Sequence, residues 1–209
     1  MKTLVCPVIP FPNIYWWSHV LNAENILLDK LEHFEKMSFR NRYIVSGSTG
    51  SITLSIPVRE GRQQRKPMQE VMIDYATDWQ TQHWRTLQSV YNRSPYFEFF
   101  VPDIQSLFQQ KEQSLTVFNE ASIQTISRLL GEKLKLTDTK EYCKNYPADV
   151  TDIRADFRSN QYNIHSEKFP AYHQVFEDRL GFLPNLSMLD LLFAEGKNSM
   201  AFLCKEKGM

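Results

Sequence analysis

An α/β fold is predicted: one domain over residues 1–209, with a mixed sheet that includes an N-terminal parallel βαβ unit, flanking helices and a largely helical C-terminal half. Three features predict it. Two short apolar runs bracket a helix-length segment near the N-terminus. A Gly/Ser cluster near position 47 separates two β-prone runs. Beyond residue 78, apolar residues recur at helical spacing.

Residues 3–9 are apolar, rich in β-branched side chains and too short for a helix, which predicts a buried first strand. Pro10-Phe11-Pro12-Asn13 predicts a turn, with Asn13 capping a helix over 14–23. Residues 25–29 predict a second buried strand, and a strand–helix–strand order of this length predicts a right-handed parallel crossover. Residues 42–46 and 52–58 flank Gly47–Ser51 and predict a hairpin, followed by a polar loop over 59–67 and a further strand over 69–74.

The remainder turns helical. Asp78 is placed to cap a helix over 79–92 with Trp79, His83, Leu87 and Val90 or Tyr91 on one stripe. Ser94-Pro95 predicts another helix start, which Pro102 should interrupt before 103–110. Asn119 is placed to cap 120–130, and Gly131 to stop that helix. A strand is expected at 134–139, then a polar loop. Asn185 or Ser187 should cap a final helix that ends at Gly196.

Hydrophobic residues at 42% and charged residues at 23% give enough apolar material for a real core and argue against disorder. The 24 basic and 24 acidic residues cancel, so the basic imbalance of a nucleic-acid binder is missing and no nucleic-acid partner is expected. Cys6, Cys143 and Cys204 are odd in number and far apart, which suits a reducing compartment rather than a disulfide scaffold. The opening run is broken by proline and is a poor signal peptide, and no run reaches the roughly 20 apolar residues of a membrane span. A cytoplasmic protein is expected.

No Cys or His pair has zinc spacing, so no metal site is expected. Phosphate-cradling G-x-x-x-x-G-K-[ST], dinucleotide G-x-G-x-x-G and G-x-S-x-G patterns are missing, and no cofactor is indicated.

The most unusual segment runs from Asp29 to Arg42 and follows the second strand directly. Ligands of open α/β sheets bind beyond the carboxyl ends of strands, where this segment begins. His33 can exchange a proton near neutral pH, Lys36, Arg40 and Arg42 can hold a phosphate or carboxylate, and Asn41 can donate and accept. The competing structural reading is a charged loop in which the arginines pair with Glu32 or Glu35. His83, between Trp79 and Trp84, reads better as a satisfied core histidine than as a base. Arg59, Arg62, Arg65 and Lys66 read as a solvated loop rather than an anion clamp. Asp190 can complete a capping box, or can orient a His or Arg if the fold brings them together.

These segments carry a family resemblance. The chain resembles the WbqC-like family, whose members share an early proline-containing turn, here Pro10–Asn13. They also share a loop H-x-x-x-K-x-x-x-R-N-R, here His33, Lys36 and Arg40-Asn41-Arg42, and a tail F-x-P-N-L-S-x-L-D-L-L-F-x-x-G, here Phe182–Gly196. His83-Trp84, Ser94-Pro95-Tyr96-Phe97 and Tyr172–Phe176 also fit, so the likeness spans most of the chain apart from about 135–165. The resemblance implies a bacterial cytoplasmic role near cell-surface polysaccharide (O-antigen type) biosynthesis, with group transfer to a nucleotide-linked sugar as one form of it, and supplies no catalytic residues to carry over.

Two functions are compatible with this. The first is a transferase-like enzyme on a small anionic substrate, with His33 as acid/base and Lys36, Arg40, Asn41, Arg42 and Asn13 binding substrate. Asn185 and Asp190 would support them from behind. The second is a noncatalytic protein that recognises an anionic metabolite or partner through the same loop.

Overall fold

The computed structural model describes residues 2–60, 65–158 and 169–203. β1 (Thr3–Pro7) and β2 (Asn25–Asp29) pair in parallel, in register from Thr3 opposite Asn25 to Pro7 opposite Asp29. Parallel neighbours need a crossover, and α1 (Ile14–Val20) supplies it. Asn13 starts this helix as expected, its side chain accepting from the Trp16 amide at 3.0 Å. The helix ends before residue 23 because the Asn22 and Ala23 amides turn back to His19 and Val20 in tight three-residue bonds.

Two more strands complete a four-stranded parallel sheet in the order β5-β2-β1-β6. β5 (Leu136–Asp138) lies within the strand expected at 134–139 and pairs with β2. β6 (Val150–Asp152) pairs with β1 in a stretch expected to be loop. Three residues with none fully buried leave no period to detect.

The hairpin forms as expected from β3 (Arg42–Val45) and β4 (Ile52–Ser55), antiparallel and as a separate two-stranded sheet. The strand expected at 69–74 does not form. Met68–Glu70 is a 3-10 turn, and Ile73 and Met72 make only isolated bridges to Val58 and Ser114. Met68, Val71 and Ile73 are all fully buried, so the apolar pattern reflects burial without a partner strand.

α2 (Trp79–Tyr91) buries the expected stripe of Trp79, His83, Leu87, Val90 and Tyr91, although the Asp78 side chain makes no capping bond. α3 (Phe97–Gln109) starts later than Ser94-Pro95 and runs through Pro102 without a break. Proline there forfeits a bond to the Glu98 carbonyl, but burial of Phe97, Phe100, Ile104, Leu107 and Phe108 outweighs the loss. α4 (Leu115–Leu129) begins well before Asn119, which is a fully buried interior residue instead of a cap. Its end is as read. Gly131 takes φ +81°, and the Gly131 and Glu132 amides bond the Arg128 and Ser127 carbonyls, the reciprocal pair that closes a helix with glycine.

α5 (Glu177–Leu180), α6 (Met188–Glu195) and α7 (Ser199–Leu203) follow. Ser187 is the α6 cap, its hydroxyl accepting from the Leu189 amide. Buried apolar side chains from β1 to β4, α1 to α4, α6 and α7 form one contiguous core, with Trp16, Trp17 and Trp79 among its largest members. Cys6 is buried in β1 and Cys143 half-buried, both as free thiols, while Cys204 lies outside the described residues. Among the described residues, no helix is long and apolar enough to cross a membrane.

Candidate functional site

The parallel sheet delivers acids to its carboxyl edge. β2 ends at Asp29, β5 at Asp138 and β6 at Asp152. Like charges this close repel unless cations sit between them. Arg154, in the 3-10 turn after β6, fills that role for Asp29 and Asp152, and Lys30 pairs with Asp138 at 2.8 Å. The Arg154 Nη1 pairs with Asp29 and its Nε and Nη2 with Asp152, and the guanidinium lies 5.0 Å from the Tyr146 ring centre and 5.8 Å from that of Tyr142. Burial alone would lower the Arg154 pKa, but the Asp152 and Asp29 carboxylates raise it overall, so this cation is permanent.

Arg40 is a further cation of the edge and is almost fully buried. Its Nε and Nη2 grip both Glu32 oxygens at 3.1 and 2.7 Å, and its remaining bonds go to the carbonyls of Phe157 and Arg154. Burial pushes the Glu32 carboxyl up, against the pull of Arg40. β1→β2 steps one way across the sheet and β6 lies on the other side of β1, so the crevice of an open sheet would fall here. The chain's own ion pairs occupy it. Cys6, buried beneath, is pushed well up by burial and by the Glu32, Asp152 and Asp29 carboxylates, which keeps it a thiol.

The expected site residues therefore divide among three environments. Arg40 and Asn41 are engaged within the protein: Arg40 bonds Glu32 and two carbonyls, and the Asn41 amide donates to the Ile56 carbonyl at 2.7 Å, while the Asn41 side-chain oxygen is buried with no partner among the described residues. His33 and Lys36 are exposed on the loop that leaves β2. The His33 ring centre is 6.1 Å from that of Tyr142, and Glu35 in the same loop pairs with Arg158 at 3.2 Å. Arg42, half-buried, and Asn13 line a small cleft with Pro12, Tyr43 and Ser187, against the turn that follows β1.

That turn is strained and heavily stitched. Phe11 has φ +41° and Asn185 φ +55°, a region L side chains rarely adopt. The Ser122 hydroxyl accepts from the Phe11 amide, Asn185 from the Tyr15 amide, and the Ser187 hydroxyl donates to the Phe11 carbonyl. Such over-determination is what allows strain to persist, and strain of this kind clusters at functional sites. Asn185 and Ser187 thus support the turn from behind.

Among the described residues, Asp190 has no hydrogen bond or ion pair to a histidine or arginine. It is buried and accepts from the hydroxyls of Tyr91 (2.6 Å) and Tyr172 (2.7 Å) and from the Gln174 amide (3.0 Å). Burial raises its carboxyl, only partly offset by those three donors. Asp190→Asn turns an acceptor into a donor facing donors. It should cost about 1–3 kcal/mol in chemical denaturation, the penalty of an unsatisfied buried group. Because the folded carboxyl holds its proton more tightly than the unfolded one, the wild type's advantage should grow as pH falls from 7 through its raised pKa.

His83 is a satisfied core residue, with Nδ1 3.1 Å from the Tyr43 hydroxyl and its ring 5.0 Å from that of Trp79. In the 59–67 loop, Arg59 bonds Gln113 and Lys66 pairs with Glu60, whereas Arg62 lies outside the described residues. Sequence reasoning missed Arg154 and Asp29. The available signal was the recurrence of Asp at 29, 138 and 152, each closing a short apolar or β-branched run.

The comparisons with known proteins bear on the family of the chain. The model of the WbqC-like protein family matches residues 10–163. An uncharacterized protein of Mycobacterium tuberculosis, Rv1507c, is 25% identical over 204 residues, covering 86% of this chain and 87% of its own. No solved structure matches the chain. With the family model spanning most of its length, including the turn at 10–13 and the 33–42 loop, the chain belongs to the WbqC-like protein family.

Proposed function

We propose that the chain works as one domain in the bacterial cytoplasm, as a transferase-type enzyme of cell-surface polysaccharide assembly. Its substrate would be a small anion of the nucleotide-linked sugar or acyl class. The carrying observation is positional: the His33–Arg42 segment leaves the carboxyl end of the central strand β2, and two of its cationic or titratable side chains, His33 and Lys36, face solvent there. His33 is the acid/base, Lys36 meets the anion, and Arg42 with Asn13 contributes from the cleft at the turn. Glu32–Arg40 and Asp29–Arg154 hold the floor beneath them. The polysaccharide setting is supported by the sequence resemblance alone.

One observation favours the second reading, noncatalytic recognition of an anionic metabolite. Among the described residues, His33 has no hydrogen-bond partner that would orient it as a base. Turnover separates the two readings, since both require binding.

Arg42→Ala should leave the fold largely intact and weaken an anionic ligand by roughly 1.5–3 kcal/mol, the scale of a lost charged hydrogen bond. A large drop in melting temperature with unchanged affinity would instead make Arg42 a purely structural residue.

A further inference from the structure

Two segments that the carboxyl-edge site leaves unused, Ser94–Phe97 and Tyr172–Phe176, meet on another side of the molecule. They enclose a cavity of about 530 Å³, closed at one wall by Ala194 of α6. That volume is in the range of small-molecule sites. From this geometry we infer a second ligand site there, one that takes an organic phosphate monoester with an apolar or ring body.

The polar side of the cavity is made by Asn92, Arg93, Ser94 and His173. Arg93 is exposed and makes no ion pair or hydrogen bond to the described residues, so its planar fork is available to two phosphate oxygens. His173 has Nδ1 3.3 Å from Glu177, whose carboxylate also accepts from the Gln174 amide, and its other ring nitrogen meets no described partner. Ser94 is 7% exposed, yet its hydroxyl has no hydrogen-bond partner among the described residues. A buried hydroxyl left unpaired costs free energy that a ligand oxygen would recover.

The opposite side is apolar, formed by Pro95, Val175, Phe176 and Ala194, and suits a ring or hydrocarbon body. The walls are pre-set. Tyr172 and Gln174, either side of His173, are both bonded to buried Asp190. The Ser94 amide bonds the Tyr91 carbonyl and the Tyr96 amide that of Phe193, which fixes the turn to α2 and α6. Little ordering remains to be done on binding, and that favours affinity.

Phenyl phosphate, inorganic phosphate and phenol are the probes, titrated by calorimetry or NMR into the wild type, Arg93→Ala, His173→Ala and Lys36→Ala. Saturable binding of phenyl phosphate is expected, tighter than inorganic phosphate and phenol. Arg93→Ala should weaken it at least tenfold and His173→Ala severalfold, with Lys36→Ala without effect. All three positions are exposed, so the variants should melt like the wild type. Affinity unchanged in Arg93→Ala, or no saturable binding of phenyl phosphate, overturns the site. A loss only in Lys36→Ala would assign the ligand to the carboxyl edge and likewise overturn it. Failure of the carboxyl-edge proposal has a different signature, because Lys36→Ala and Arg93→Ala report on separate places.

Discussion

Arg40→Ala should destabilise the fold by about 3–5 kcal/mol, because it leaves the buried Glu32 carboxylate without its cation. The side chain also holds the Phe157 and Arg154 carbonyls, so its loss unpins the turn after β6 from the sheet. Replacing both partners, as in Arg40→Met with Glu32→Leu, should recover the part of that loss due to the uncompensated charge and leave the part due to the two carbonyls. Urea denaturation of the wild type and the single and double variants measures this directly. If Arg40→Ala alone costs under about 1 kcal/mol, as for a surface ion pair, the buried clasp does not exist as described.

The second large effect is acid destabilisation through His83. Burial pushes its pKa down to about 4, with the hydrogen bond to the Ser55 backbone opposing, whereas the imidazole of an unfolded chain titrates near 6.5. Between those values the unfolded chain binds the extra proton. The His83 contribution is therefore complete above about pH 6.5 and is lost as pH falls towards 4, up to roughly 3 kcal/mol. Wild type should lose stability over this window faster than His83→Gln. The raised Asp190 works in the opposite direction, but it is present in both proteins and cancels in the difference. Equal pH slopes for the two proteins would show that His83 titrates normally.

The βαβ unit was legible because its period and caps are local: a β-branched run, Asn13 and a second apolar run. Gly131 and Gly196 were legible stops for the same reason, each at positive φ just past a helix. What failed was tertiary. Asn119 looked like a cap because its type favours one, but its amide is committed to the Val8 and Arg40 carbonyls, far away in sequence. The alternation at 69–74 gave the burial of Val71 and Ile73 correctly and the strand wrongly, since pairing depends on a neighbour that sequence does not reveal.

The candidate site divided in the same manner. Residue types alone could not tell Arg40 from Arg42, and the difference lies in Glu32, Phe157 and Arg154 standing around the first. Arg154 itself sat in a stretch with no readable period, so the residue that neutralises Asp29 and Asp152 was invisible until the strands were paired. Asp190 was recognised as an acid in an apolar run, yet its partners, Tyr91, Tyr172 and Gln174, come from two other segments.

The central claim is that the exposed cationic part of the 33–42 loop binds an anionic ligand above a self-satisfied ion-pair floor. Its most direct test is a thermal-shift screen of nucleotide-linked sugars, acyl-coenzyme A and amino acids, run on the wild type and on a His33→Ala/Lys36→Ala double variant. Both side chains are exposed, so the two proteins should melt alike without ligand. The account predicts a selective anion that raises the wild-type melting temperature by several degrees, as at about 100 times its Kd, and fails to do so in the variant. The same shift in both proteins would contradict it.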